Sequence, residues 1–125
     1  MKSAKAIKTQ TTKTYNETVE NMRLLGTYKP EFEASIRRYA DLRMQYDILR
    51  DRWYEEGCLV TENYTNKSGA TNQRKTSLYL ALEALRKELI DTENIFGLTP
   101  KGLKMIKTNG LNAPKSSKLD ELLSG

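Results

Sequence analysis

Gly69-Ala70-Thr71-Asn72-Gln73-Arg74-Lys75-Thr76 comes within one residue of G-x-x-x-x-G-K-[ST], the loop whose backbone N–H groups cradle nucleotide phosphates. Arg74 stands where the second glycine must let the backbone curl round an anion. The preceding Tyr64-Thr65-Asn66-Lys67-Ser68 is too polar to be the buried strand that leads into such a loop. Nucleotide binding is not expected, and the segment reads as a polar loop made basic by Lys67, Arg74 and Lys75. Asp47 and Asp51, one helical turn apart, are the other pair with chemical reach, since neighbouring carboxylates can hold a metal for phosphodiester cleavage. Arg43, Arg50 and Arg52 stand beside them and no recognisable motif places a His or Lys base, so a solvated, salt-bridged helix face is the better account.

Absent residue types close further routes. With no His and a single cysteine, Cys58, the chain has no His-based zinc site, four-cysteine metal site, Ser-His-Asp or Cys-His nucleophile, or internal disulfide. No catalytic residue, metal or cofactor is assigned, and a non-enzyme is expected. The longest apolar run, Leu78 to Leu82, is far short of the ~18 residues that span a bilayer, and Met1 to Tyr15 has no apolar secretion core. A reducing cytosol without membrane contact is the expected setting.

Charge is the remaining clue. Lys and Arg number 21 against 16 Asp and Glu, a net +5, which favours an anionic partner. The excess is uneven: 6 basic against 2 acidic residues over 1–29, 3 against 1 over 57–76 and 5 against 2 over 99–125, whereas 30–56 (5 against 7) and 77–98 (2 against 4) are mildly acidic. Positive charge thus gathers on the ends and one loop. Lys2, Lys5, Lys8 and Lys13 are interleaved with Ser, Thr and Gln without apolar periodicity, so residues 1–13 read as a mobile basic arm. Such an arm suits phosphate contact and suits a solubilising end equally well; composition does not separate the two.

The two acidic segments carry the strongest helical periodicity. From Pro30, a residue favoured at the first helical position, Phe32, Ile36, Tyr39, Leu42, Tyr46, Leu49 and Trp53 recur every three or four residues up to the stop at Glu55-Glu56-Gly57. Ala40, Met44 and Ile48 form a second row beside them. Leu78, Leu82, Leu85, Leu89 and Phe96 repeat the pattern over 77–96 and stop at Gly97. Tyr15, Val19 and Met22 predict a shorter helix over 14–25, ended by Gly26. Thr99-Pro100 predicts an N-cap with a first-position proline and one or two turns beyond it. Residues 107–117 read as linker, followed by a small amphipathic tail at 118–123. With 16 Leu against two Val and six Ile, strands are poorly supported and the fold class is all-α.

The helix from Pro30 to Glu56 would be about 40 Å long at ~1.5 Å per residue, longer than a compact globule of this size is wide, so the molecule reads as elongated. Apolar residues make up 38%, a lean supply for a self-sufficient core. The second row on the long helix needs cover. A second copy of the chain could supply it, as could the short first helix folding back within the monomer, and the residues weigh the two evenly.

Several segments in order resemble a tailed-phage terminase small subunit: Leu25-Gly26-Thr27-Tyr28-Lys29-Pro30-Glu31-Phe32, the long helix with Tyr39-Ala40 and Gln45-Tyr46 ending at Glu56-Gly57, the loop Thr65-Asn66-Lys67-Ser68-Gly69-Ala70, and Phe96-Gly97-Leu98-Thr99-Pro100. The tail Ser117-Lys118-Leu119-Asp120-Glu121-Leu122-Leu123 is also similar to that family, which extends the resemblance over about residues 14–123. The resemblance implies a small helical protein that assembles into a ring, binds viral double-stranded DNA at the packaging site and delivers it to the large subunit, which carries the ATPase and nuclease. It implies further that a terminal segment engages the large subunit.

The expectation is therefore an all-α, elongated helical hairpin with a short N-terminal helix in a ring-like homo-oligomer, at work in the cytoplasm of the infected bacterial host. Residues 1–13 form a flexible arm, 14–106 the helical DNA-recognition and oligomerisation domain, and 107–125 a linker and tail. DNA contacts are assigned to Lys2, Lys5, Lys8, Lys13 and Arg23, with Lys67, Arg74 and Lys75 in the loop. The self-interface is assigned to Ile36, Tyr39, Ala40, Met44, Ile48 and Trp53, and the large-subunit contact to Lys118, Leu119, Leu122 and Leu123. A structural helical oligomer that bridges protein partners without binding DNA is the alternative.

Overall fold

Ser3 starts the first helix earlier than its surroundings suggest. Its hydroxyl accepts from the Ala6 N–H at 3.1 Å, and α1 (Ala4–Leu25) runs from there to Gly26, whose φ of 78° ends it. The computed structural model describes residues 3–109. From Ala4 onward the expected mobile arm is helix, so the N-terminal helix is not short. The threonines that break the apolar pattern instead serve the helix: the hydroxyls of Thr9, Thr11, Thr14 and Thr18 each donate to the carbonyl four residues back. Thr14, Thr18 and Met22 are buried where this helix meets the rest of the chain.

A single 3₁₀ turn (Pro30–Phe32) precedes the long helix α2 (Glu33–Glu55), which therefore begins three residues later than the proline suggests. Helix α3 (Ser77–Phe96) has the expected bounds: the Thr76 hydroxyl accepts from the Tyr79 N–H at 3.1 Å and Gly97, with φ 72°, stops it. Helix α4 (Pro100–Asn109) is capped by Thr99, whose hydroxyl accepts from the Gly102 N–H at 3.0 Å, and it continues through the first residues of the expected linker.

Helix α2 is the central element, with α1 and α3 packed antiparallel along it. Met22 from α1, Ile36 and Tyr39 from α2, and Leu89 and Phe96 from α3 form the core, with Tyr15, Val19, Phe32, Leu42 and Leu98 packed against it. Each fully buried apolar side chain contributes roughly 1.5–3 kcal/mol. At the helix surfaces Arg37 of α2 lies over the Tyr15 ring of α1, 4.3 Å from its centroid, and Tyr39 of α2 meets Phe96 of α3 edge-on at 5.8 Å.

This packing changes the account of the second apolar row. Ile36, Tyr39 and Ala40 are at most 2% exposed within the single chain, Met44 and Trp53 are half-buried, and of the six residues assigned to a self-interface only Ile48 is exposed. The cover comes from α1, whose Ile7 and Gln10 share a crevice with Met44, Asp47, Ile48 and Asp51. Extending α1 back to Ala4 is what gives it the reach.

The chain is mostly helical, as expected, but the all-α reading needs one correction. Between α2 and α3, strands β1 (Thr61–Thr65) and β2 (Thr71–Lys75) pair antiparallel, Thr61 opposite Lys75 and Thr65 opposite Thr71. No apolar alternation announces them because all ten residues are exposed, so neither face needed apolar side chains. A lone two-stranded ribbon is marginal in water. This one is fixed at its base: the Trp53 indole N–H donates to the Leu59 carbonyl at 2.9 Å, the Thr76 N–H donates to the Val60 carbonyl at 3.0 Å, and the Trp53 and Tyr79 rings lie 5.9 Å apart. Its tip is held by Asn66, whose side-chain oxygen accepts from the N–H groups of Ser68 and Ala70, both at 3.0 Å.

Candidate nucleic-acid interface

Because α1 runs antiparallel to α2, its first turns lie beside the last turns of α2, where the chain leaves for the hairpin. Lys5, Lys8 and the hairpin residues Lys67, Arg74 and Lys75 therefore come to one end of the bundle. Arg23 does not join them. It lies in the last turn of α1 at the other end, with its guanidinium 4.7 Å from the centroid of the Tyr28 ring. Lys2 lies outside the described residues.

The cations at the hairpin end differ in availability. Lys5, Lys8 and Lys67 are exposed and form no ion pair among the described residues, and the same holds for Lys13, which lies near the middle of α1, away from that end. Lys5 and Lys8 stand in a helix half without an acidic residue, close to the positive end of the helix dipole. Cations there are mildly unfavourable for the helix itself and strengthen its pull on an anion. Lys67 is at the apex of the ribbon, between the Asn66 and Ser68 that brace the turn.

Arg74 and Lys75 are already engaged. The Arg74 guanidinium bonds the Glu62 carboxylate at 3.1 Å and lies 4.2 Å from the centroid of the Tyr64 ring. Lys75 bonds Glu83 of α3 at 2.9 Å, and that contact raises the pKa of its ammonium. An anion approaching either must compete with a carboxylate.

The near-match to a phosphate loop ends in strand geometry, because residues 71–75 are extended and paired with β1 rather than curled. Asp47 and Asp51 are held by one guanidinium, Arg50, at 3.6 and 3.3 Å, and Arg52 pairs with Glu56 at 2.7 Å. That is the salt-bridged face read from the sequence. Among the described residues no three His, Cys, Asp or Glu side chains are grouped to hold a metal, and no helix is long and apolar enough to cross a membrane.

Sequence reasoning missed the hairpin's polar face. The register places Thr61, Asn63 and Thr65 opposite Lys75, Gln73 and Thr71, and Glu62 and Tyr64 opposite Arg74 and Asn72. Alternation of side chains puts the first set on one face and the second on the other. The signal lay in Thr61, Asn63 and Thr65 at every second position, a period of two written in polar residues. Lys118, Leu119, Leu122 and Leu123 lie outside the described residues.

The architecture defines a helical bundle that projects a two-stranded arm and carries Lys5, Lys8 and Lys67, outside any ion pair among the described residues, at the end the arm leaves; Lys29 and, on α4, Lys101, Lys104 and Lys107 are exposed and equally unpaired at the other end. Residues 11–112 match a family model described as phage terminase, small subunit, and the chain belongs to that family, which serves phage DNA packaging. No curated protein and no solved structure gives a match.

Proposed function

We propose that the protein is a non-catalytic terminase small subunit that binds viral double-stranded DNA at the packaging site and delivers it to the large ATPase and nuclease subunit. It acts in the cytoplasm of the infected host as a ring-like homo-oligomer. The observation that carries the DNA-binding part is the gathering of Lys5, Lys8 and Lys67, exposed and without ion pairs among the described residues, at the end from which the ribbon projects. Repeating that end around a ring multiplies each weak phosphate contact by the copy number, which gives avidity without a strong single site.

A ring needs a seam, and the second row of α2 is already covered by α1. Exposed apolar side chains remain at both ends, Tyr54, Leu59 and Leu80 near the hairpin, but the most exposed stand at the opposite end: Leu24 and Ile95 are 77% and 72% exposed, and Met105 of α4 is exposed beside Ile95. A second copy is the occupant this reading requires there. The tail with Lys118, Leu119, Leu122 and Leu123 is assigned to the large subunit, following the family resemblance.

Fluorescence anisotropy on a labelled double-stranded DNA tests the function. Binding that weakens steeply between about 50 and 200 mM salt is expected. No retention on duplex DNA at moderate salt would favour a structural oligomer that bridges proteins.

A further inference from the structure

Two features of the ribbon remain unexplained by phosphate binding. One face is closed on itself, with Glu62 and Arg74 ion-paired and Arg74 laid on Tyr64. The other carries Thr61, Asn63, Thr65, Thr71, Gln73 and Lys75; it is tied at its two ends, where the Thr65 and Thr71 hydroxyls bond each other at 3.2 Å and Lys75 bonds Glu83, and open at its centre. Asn63 and Gln73 are direct cross-strand partners at its centre, both exposed, and neither side-chain amide takes part in a hydrogen bond among the described residues.

We propose that this ribbon enters the major groove of double-stranded DNA and presents the Asn63 and Gln73 amides to base edges, selecting adenine. The inference rests on the DNA-binding reading and adds to it the element that reads sequence. The major groove, ~12 Å wide, admits a two-stranded ribbon, and an Asn or Gln amide pairs with adenine by donating to N7 and accepting from N6–H. Directly opposed residues of an antiparallel pair have Cβ atoms ~5 Å apart, against ~3.4 Å between stacked bases, so the two amides address neighbouring steps. Around them Thr61 supplies a hydroxyl for either kind of base edge, and Thr61, Thr65 and Thr71 supply methyls for thymine.

The surroundings fit the same ligand. Lys67 at the apex supplies charge for the phosphates that line the groove, and Lys5 and Lys8 lie at the same end of the bundle. The Asn66 brace and the Trp53 anchor hold the ribbon in one shape before it binds, which lowers the ordering cost of binding. A second protein chain is a poorer fit, because interfaces between copies are built round apolar and aromatic cores and this face has no apolar side chain.

The test is selection from a randomised duplex pool by the full-length protein, with Asn63→Ala, Gln73→Ala and the double variant in parallel and native mass spectrometry on each. Both positions are exposed, so circular dichroism should match the parent. The parent is expected to enrich duplexes with an adenine at fixed positions. Each single variant should lose about 5- to 150-fold in affinity for the enriched duplex, while affinity for the unselected pool and its salt dependence stay unchanged. Parent binding without enrichment, or unchanged enrichment by the double variant, overturns the proposal and leaves phosphate-only binding. Changed oligomer mass in the variants, with enrichment intact, overturns it in favour of a contact between copies. A parent that retains no duplex at all overturns the DNA-binding reading itself.

Discussion

Tyr39 on α2 donates its hydroxyl proton to the Glu93 carboxylate on α3, and the same oxygen accepts from Arg43 one turn further along α2 at 3.1 Å. This polar link crosses the core boundary beside the Tyr39–Phe96 ring contact. Burial, then the hydrogen bond to Glu93, pushes the Tyr39 hydroxyl from 10.0 to about 12. The neutral phenol is therefore favoured in the folded state. Its contribution is complete below pH 10, where the phenol is protonated in both folded and unfolded chains, and is lost as pH rises from about 10 to 12. Urea denaturation over that range should show a loss on the order of 2 kcal/mol in the parent that is missing from Tyr39→Phe. Parallel pH profiles for the two proteins would contradict it. At neutral pH Tyr39→Phe should itself destabilise by roughly 1–3 kcal/mol, because it leaves Glu93 without that donor.

Gly102 is where α4 lies against the end of α3. A Cβ built there would be 2.6 Å from the Asn94 Cα and 2.7 Å from its carbonyl carbon, and backbone atoms of this kind do not yield as a flexible side chain would. Gly102→Ala should cost roughly 1–3 kcal/mol, read as a melting temperature lower by several degrees. An alanine protein as stable as the parent would show that α4 can shift outward without penalty.

How far the fold was legible follows the physics of each segment. Ser77 to Phe96 could be bounded from its cap, its leucine stripe and Gly97 because all three signals agree. Residues 4–13 were misread as an arm because hydroxyls that break apolar periodicity, such as those of Thr9 and Thr11, also bond back to the helix carbonyls, a choice that composition does not reveal. The hairpin was missed for the opposite reason: its order comes from the Asn66 turn and the Trp53 anchor, and no apolar face was required. At the candidate site, the lysines could be named from the sequence, but their sorting into paired and unpaired could not. Glu83 is eight residues from Lys75 and Glu62 twelve from Arg74, and only the folded chain brings them together.

That sorting predicts unequal effects on DNA binding. Lys5→Gln with Lys8→Gln should flatten the slope of log affinity against log salt by up to ~1.8, at ~0.9 for each phosphate no longer neutralised. Lys75→Gln should change it less, since its ammonium is shared with Glu83, and Arg23→Gln least, since Arg23 lies at the other end. Equal effects for all of these, measured by anisotropy on one duplex, would mean that charge is read as a total and that the ribbon end has no special place.

The seam of the proposed ring can be separated from the fold because the residues involved are solvent-facing in the single chain. Ile95 is 72% exposed and Met105 52%, so Ile95→Asp and Met105→Asp remove little internal packing and should leave the melting temperature close to that of the parent. Placed against a second copy, each aspartate would be an uncompensated charge in an apolar contact, and the mass should fall towards that of a monomer. DNA affinity should drop with it, because the surviving monomer keeps its lysines and ribbon but loses the multiplication of contacts. Ile48→Asp is the contrasting variant, at the exposed end of the row that α1 otherwise covers. If Ile48→Asp dissociates the assembly and the Ile95 and Met105 variants do not, the seam runs along the α1–α2 flank instead. The ring would then close beside the lysines rather than at the far end of the bundle.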